Sequence, residues 1–386
     1  MPMSWVGFGF GICLLLCTGS SVVKMLLIPR NLGSTISTGV SRLVLKVYRL
    51  ITARIADLNR RENVLATGAP AFLFSVLVVW IGLLFVAYAL ILLPFTTGVT
   101  SALRLSGSSL FTLGFAIPAG AAPYGIVFAA AISGLGVIAL MIGYLPTIYS
   151  AYNRREVQVI MLEALAGKPP WGPELLARQQ LIGNVSYLPR LYERWTEWAA
   201  DVSESHTTYR TLIYFRSRYP ENPWPLALLA VLDAAALQLS LCPASAPSEA
   251  RPLLRVGYVT MRQLARTLGL PVNDDPHPDD PLVLTREEFD EAVAHMDQAG
   301  WVFERTPAEA WTHFRGWRVN YEYAAHGIAA HLDLPMAVWS GPRSRLGRAI
   351  APARPAHREP GAARDTSPPG ERRAARTIPL FTCGNT

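Results

Sequence analysis

Residues 96–122 read TTGVTSALRLSGSSLFTLGFAIPAGAA, and the reading of this stretch decides the fold. It is too apolar for an ordinary exterior loop. It is also a poor membrane span, since a full crossing carries Arg104 into the hydrocarbon at a cost of about 2.5–3.5 kcal/mol on insertion scales. Four serines and several glycines dilute it further. A short helix that enters, turns and returns to the same side satisfies these constraints. Non-helical backbone at membrane depth is tolerated only where it is buried in protein or lines a water-filled path. A re-entrant segment therefore hints at a pathway. Ser101 is placed to cap the short helix, which runs to about Phe111. The helix's negative dipole end then points into the membrane and favours a cation there.

Working outward, three uncharged stretches surround this loop: Trp5 to Val23, Ala71 to Phe95 and Tyr124 to Ser150. About 20 apolar residues cross a bilayer as helix, so each is long enough. The first lacks the positive start and A-x-A-like site of a secretory signal, and reads as a retained span. Between the first two spans lie Arg30, Arg42, Lys46, Arg49, Arg54, Arg60 and Arg61, against Asp57 and Glu62. The positive-inside rule puts that segment in the cytoplasm and the N-terminus outside. Arg154 and Arg155 close the third span on the cytoplasmic side again, so one topology fits all three. A fourth full crossing at 96–122 would break it.

With its flanks, the loop resembles the pore module of potassium channels: outer helix, pore helix, filter, inner helix. The family filter is T-V-G-Y-G, and Thr112, Leu113, Gly114, Phe115 and Ala116 take its five positions in order. The resemblance covers roughly residues 71 to 150 and implies that carbonyls of Thr112, Leu113, Gly114 and Phe115, with the Thr112 hydroxyl, replace the hydration shell of a permeant monovalent cation, K⁺ in the family. It also implies a homotetramer, because one chain supplies one pore loop. Two departures leave the ion preference open. Ala116 stands where the family has Gly, and a left-handed backbone there would cost about 1–2 kcal/mol. Ile117 stands where an acidic residue commonly follows. In the inner helix, Gly134, Gly136, Gly143 and Pro146 read either as a gating hinge or as sites of close helix packing.

The organisation predicted is an all-α membrane protein with three transmembrane helices and a helical cytoplasmic domain. It divides into an N-terminal transmembrane helix (1–30), a basic amphipathic cytoplasmic segment (31–70), a pore module (71–153, pore loop 96–122), a helical cytoplasmic domain (154–340) and an Arg-, Pro- and Ala-rich tail (341–386). In the second segment Ile36, Val40, Leu43, Val47, Ile51, Ile55 and Leu58 recur at helical steps, with Arg42, Lys46 and Arg49 on another face. That helix lies either along the inner membrane surface or on the soluble domain. Residues 225–242 are nearly long enough to span, but Asp233 at their centre favours a buried core helix. Tyr192, Trp195 and Trp198 form a core face on a helix starting near Pro189, and Thr285 with Glu288 forms a capping box.

Composition points the same way. The 386 residues are 51% hydrophobic and 16% charged, with net charge +7, and the basic residues gather beside apolar spans and in the tail. That distribution argues against nucleic acid as partner and for a lipid bilayer. The tail, expected to be disordered, carries nine arginines against Glu359, Asp365 and Glu371, which suits either anionic lipid or plain solubilisation. Cys13 and Cys17, four apart on one helix, read as packing residues; with Cys242 and Cys383 they form no zinc pattern, and His326 and His331 no metal pair. Asp274, Asp275, Asp279 and Asp280 lack the central Gly of a calcium loop. No phosphate loop, nucleophile elbow or metallohydrolase helix is present, and Asp201, Ser203 and His206 read as surface residues. The function predicted is passive cation conduction at the plasma membrane, without an enzymatic activity or cofactor. The alternative is a non-conducting membrane sensor or scaffold on a channel-like fold. The ligand of the cytoplasmic domain is not legible.

Overall fold

The computed structural model describes residues 2–28, 34–335 and 337–340; Arg30, Cys383 and the tail lie outside them. Helix makes up 74% of the described residues, and no strand occurs among them. The helices are α1 (Pro2–Leu26), α2 (Thr35–Thr52), α3 (Leu58–Ala66), α4 (Gly68–Leu92), α5 (Val99–Leu110), α6 (Ala122–Ala166), α7 (Gly172–Leu181), α8 (Leu188–Thr208), α9 (Trp224–Leu241), α10 (Ala250–Thr267), α11 (Arg286–Gln298), α12 (Pro307–Arg318) and α13 (Glu322–His331). Among the described residues, four helical stretches are long and apolar enough to cross a membrane: Met3–Leu26, Asn59–Phe95, Ala122–Ala166 and Trp224–Leu241.

The chain forms two compact units. The first holds residues up to Tyr152 together with Thr208–Phe215, and the second holds Asn153–Thr207 and Arg216 onward. In the first unit α4 is central and packs on α1, α2 and α5. Apolar residues surround it on all sides, so its inward face is set by shape and by a few polar hooks rather than by periodicity. Trp80 is fully buried, and its indole N–H donates to Ser21 Oγ at 2.9 Å. Ser21 in turn meets Ser34 Oγ at 2.5 Å. At the other end of α1, Trp5 and Phe8 pack edge-on against Phe95.

The course of α2 follows from its two anchors. Ser34 caps its start and meets Ser21, while Tyr48 OH meets Thr67 Oγ1 at 2.9 Å. Ser34 and Tyr48 are about 21 Å apart along a helix, and Trp80 and Thr67 about 20 Å. The amphipathic helix therefore runs antiparallel along the first half of α4. Ile36 and Val40 join the core of this unit, whereas Leu43, Val47, Leu50 and Ile51 stay exposed.

In the second unit α9 is the core. All its residues are buried, and α7, α10, α12 and α13 pack around it. These neighbours are amphipathic, and α10 alone carries Arg251, Arg255, Arg262 and Arg266, so no lipid shell could surround α9. Asp233, at its middle, accepts from Arg318 Nη1 at 2.6 Å and from Tyr321 OH at 2.8 Å. Arg318 also donates to Glu322 and to the Trp339 carbonyl, both at 2.8 Å. A buried charge is tolerated only with such partners. Tyr192, Trp195 and Trp198 are buried on α8, and Thr285 with Glu288 makes a complete capping box.

α6 continues as helix beyond the apolar stretch that closes at Ser150 and is unbroken to Ala166, about 67 Å at 1.5 Å per residue. Of the pair expected to mark its cytoplasmic end, Arg154 is exposed and pairs with Asp201, but Arg155 is fully buried. Its guanidinium contacts Glu156 at 2.8 Å and His206 at 3.0 Å, and lies 5.0 Å from the Trp224 ring centroid. His206 is likewise buried, not a surface residue. It bonds Ser205, while Ser203 bonds Gln263 and Asp201 bonds Arg154.

Candidate functional site

The site is built from the end of α5, the irregular segment after it and the facing side of α6. α5 is 12 residues, about 18 Å, against roughly 30 Å for a bilayer's hydrocarbon core. Ala102, Leu105, Ser106 and Ser109 share its buried face, and Ser106 Oγ donates to the Phe85 carbonyl of α4 at 2.8 Å. Arg104 lies on the exposed face. The helix starts earlier than the sequence suggests. Gly98, at φ +150°, is its N-cap, and Ser101 sits inside the first turn bonded to Thr97 Oγ1. A glycine supplies the chain reversal that a serine cap would not.

Ser108, buried in the last turn, organises everything that follows. Its carbonyl accepts from the N–H of Leu113 at 2.8 Å and of Gly114 at 3.3 Å. Its hydroxyl accepts from the N–H of Ala116 at 3.0 Å. The Ser109 carbonyl takes the Thr112 N–H at 3.0 Å, and the Gly107 carbonyl takes that of Phe111. The chain thus folds back over the C-terminus of α5, and the negative end of that helix dipole is spent on loop amides. The expected direct action of the dipole on a cation is weakened accordingly.

The loop's own carbonyls are in the opposite condition. Among the described residues, no hydrogen bond uses the carbonyl oxygens of Thr112, Leu113, Gly114 or Phe115. The amides of Thr112, Leu113 and Gly114 are tied down while four consecutive acceptors are left over. Leu113, Phe115 and Ile117 are exposed, at 63%, 57% and 82%. No acidic residue occurs between Glu62 and Glu156, so carbonyl dipoles are the negative groups this segment can offer. The backbone alternates: Thr112 has φ 54° and Gly114 φ 72°, with ordinary values between. For a β-branched residue that is a strained position, costing about 1–2 kcal/mol. The strain expected at Ala116 falls instead on Thr112, since Ala116 does not have positive φ.

The four residues proposed as hinge or packing sites separate. A Cβ on Gly134 would lie 2.1 Å from the Leu110 carbonyl oxygen, so Gly134 is what lets α6 touch the end of α5. Gly136 and Gly143 have nothing within 4 Å. Pro146 sits within the continuous helix, where it removes one backbone donor. Tyr88 OH, meeting Ser133 Oγ at 2.7 Å, ties α4 to α6 one residue before Gly134. Ser108 escaped the sequence reading, where it was one of four serines counted only as polar dilution. A hydroxyl in the last turn of a short helix, followed by a glycine-containing loop, is the signal that could have marked it.

No known protein family, curated protein or solved structure matches this chain.

Proposed function

We propose that the chain is a membrane-embedded cation channel, with α5 and residues 111–121 forming a re-entrant pore loop between two transmembrane helices. The reading rests on the four free carbonyls at Thr112, Leu113, Gly114 and Phe115. In lipid each unsatisfied backbone group costs several kcal/mol, so such a run belongs where it meets water or an ion. α5 is too short to cross, so the chain re-emerges on the side it entered. Four copies around one axis would bring four such loops together, with a cation held by carbonyl oxygens, as in the potassium-channel pore that residues 112–116 resemble. The copies would also cover Leu113 and Phe115, which one chain leaves exposed. Gly136, Gly143 and Pro146 remain the hinge candidates on α6; Gly134 is assigned to packing. Orientation follows the charge rule, with the N-terminus outside and the second unit cytoplasmic.

A non-conducting sensor on the same plan is the second reading, favoured by Ile117, an exposed apolar side chain where a channel mouth usually carries a carboxylate. One experiment separates the two. Purified protein in liposomes is given K⁺ and Na⁺ gradients side by side, with Gly114→Val as control. Flux that disappears in a variant which still assembles supports the pore. Absence of flux for either ion, across voltage and pH, moves the assignment to the sensor.

A further inference from the structure

The second unit contains a cleft of about 900 Å³, at the upper end of the range for small-molecule sites, about 300–1,000 Å³. One side is α13, where Ala324, Gly327 and Ala330 leave the room. The other is the proline-rich segment after α10, which supplies Leu270, Val272 and Leu282. The lining is mainly apolar, with Arg262, Asp280 and Glu322 as its charged groups, and Arg262 and Glu322 are unequal. Glu322 is already saturated: its carboxylate accepts from Arg318 and from the N–H groups of Val283 and Leu284. Arg262, also on the cleft wall, is not. Its Nε donates to the Asn320 carbonyl, Nη1 to the Asp274 carbonyl and Nη2 to Asn320 Oδ1, all neutral acceptors. A guanidinium has five N–H groups, so one is left on each terminal nitrogen. Among the described residues no carboxylate makes an ion pair with it: Asp274 is held by Arg266, and Asp275 attracts it only at longer range. The guanidinium is steadied over the Tyr258 ring, 4.8 Å from its centroid.

We propose that this cleft binds a small, mainly apolar monocarboxylate, with its carboxylate on the two free N–H groups of Arg262 and its body along Ala324, Gly327 and Ala330. Two N–H donors on one guanidinium can meet the two oxygens of a carboxylate. A single charge is implied because Asp275, Asp279 and Asp280 lie in the same loop and would repel a polyanion. The site lies wholly within the second unit and does not depend on the pore assignment.

The test uses the full chain in nanodiscs and three probes of one shape: 2-naphthoate, 2-naphthylmethanol and 2-naphthylmethylamine, with empty nanodiscs subtracted. Saturable binding of one naphthoate per chain is expected, stronger than the alcohol, with the amine weakest. Arg262→Gln should weaken naphthoate at least tenfold and change the alcohol less than twofold. Ala330→Trp, which fills the cleft from α13, should abolish both, with an unchanged melting profile showing the fold intact. The proposal fails if no probe saturates, if naphthoate binds both variants as it binds the parent, or if the amine is preferred.

Discussion

At the scale of single residues, the closest approaches and the buried charges make the sharpest demands. Gly134→Ala forces a methyl group into the Leu110 carbonyl, and overpacking of this kind costs about 1–3 kcal/mol. Gly143→Ala meets nothing, and gains the helix preference of Ala, about 0.5–1 kcal/mol. Melting of the two variants in detergent should move in opposite directions; equal shifts would remove the packing role of Gly134. Ser108→Ala deletes the acceptor for the Ala116 N–H and leaves the helix otherwise intact, at about 1 kcal/mol. It should disturb flux more than stability. Titration gives a further check. Burial pushes His326 down to about 4, and burial with the Arg155 charge pushes His206 well below the ordinary histidine value. The unfolded chain takes up those protons near pH 6.5 and the folded chain does not, so this stability is complete above about 6.5 and is lost as pH falls towards 4. Asp233 acts oppositely: burial pushes it up to about 6 despite Arg318 and Tyr321, so in acid the folded state takes its proton first. At neutral pH it is the carboxylate that the 2.6 Å contact with Arg318 requires. His326→Gln should flatten the fall of the melting temperature between pH 6.5 and 4, and an unchanged slope would show that this histidine is not responsible.

At the scale of elements, α9 and α5 show how far a helix is specified by its own sequence. The two are opposite cases. α9 is apolar throughout and could be taken for a span, yet its single acid finds Arg318, Tyr321 and, through Arg318, Glu322 on other helices. Arg318→Met would leave Asp233 and Glu322 buried without their cation, a loss of about 3–5 kcal/mol. An unfolding free energy from chemical denaturation within about 1 kcal/mol of the parent would mean that water reaches the pair. α5 is too short and too mixed to form alone; isolated helices under about 12–15 residues are marginal. It is held by the Ser106 bond to α4, by Gly134 of α6 and by its own returning loop. The capping box at Thr285 was readable because both its partners lie three residues apart in sequence. The true N-cap of α5 was not, because Gly98 acts through backbone conformation and leaves no side-chain pattern.

At the scale of the whole molecule, the proposed assembly makes the outermost prediction: native mass measurement in nanodiscs should return four chains, and a monomer would leave the exposed Leu113 and Phe115 without neighbours and the pore without walls. What the sequence determined by itself is what hydrophobicity and local spacing control. The uncharged runs at α1, α4 and α6, the aromatic face of α8 and the helical character of the described residues are all written in composition and period. Their energies are local, set by solvent transfer and by neighbours within four residues. Tertiary structure alone decided the rest. It chose the buried partner for Arg155, carried α6 on to Ala166, laid α2 along α4, and pinned the 111–116 loop through Ser108. It also placed the strain on Thr112 rather than Ala116. These outcomes depend on backbone conformation and on which groups, some of them far apart in sequence, meet at hydrogen-bonding distance, and a linear pattern carries no record of either.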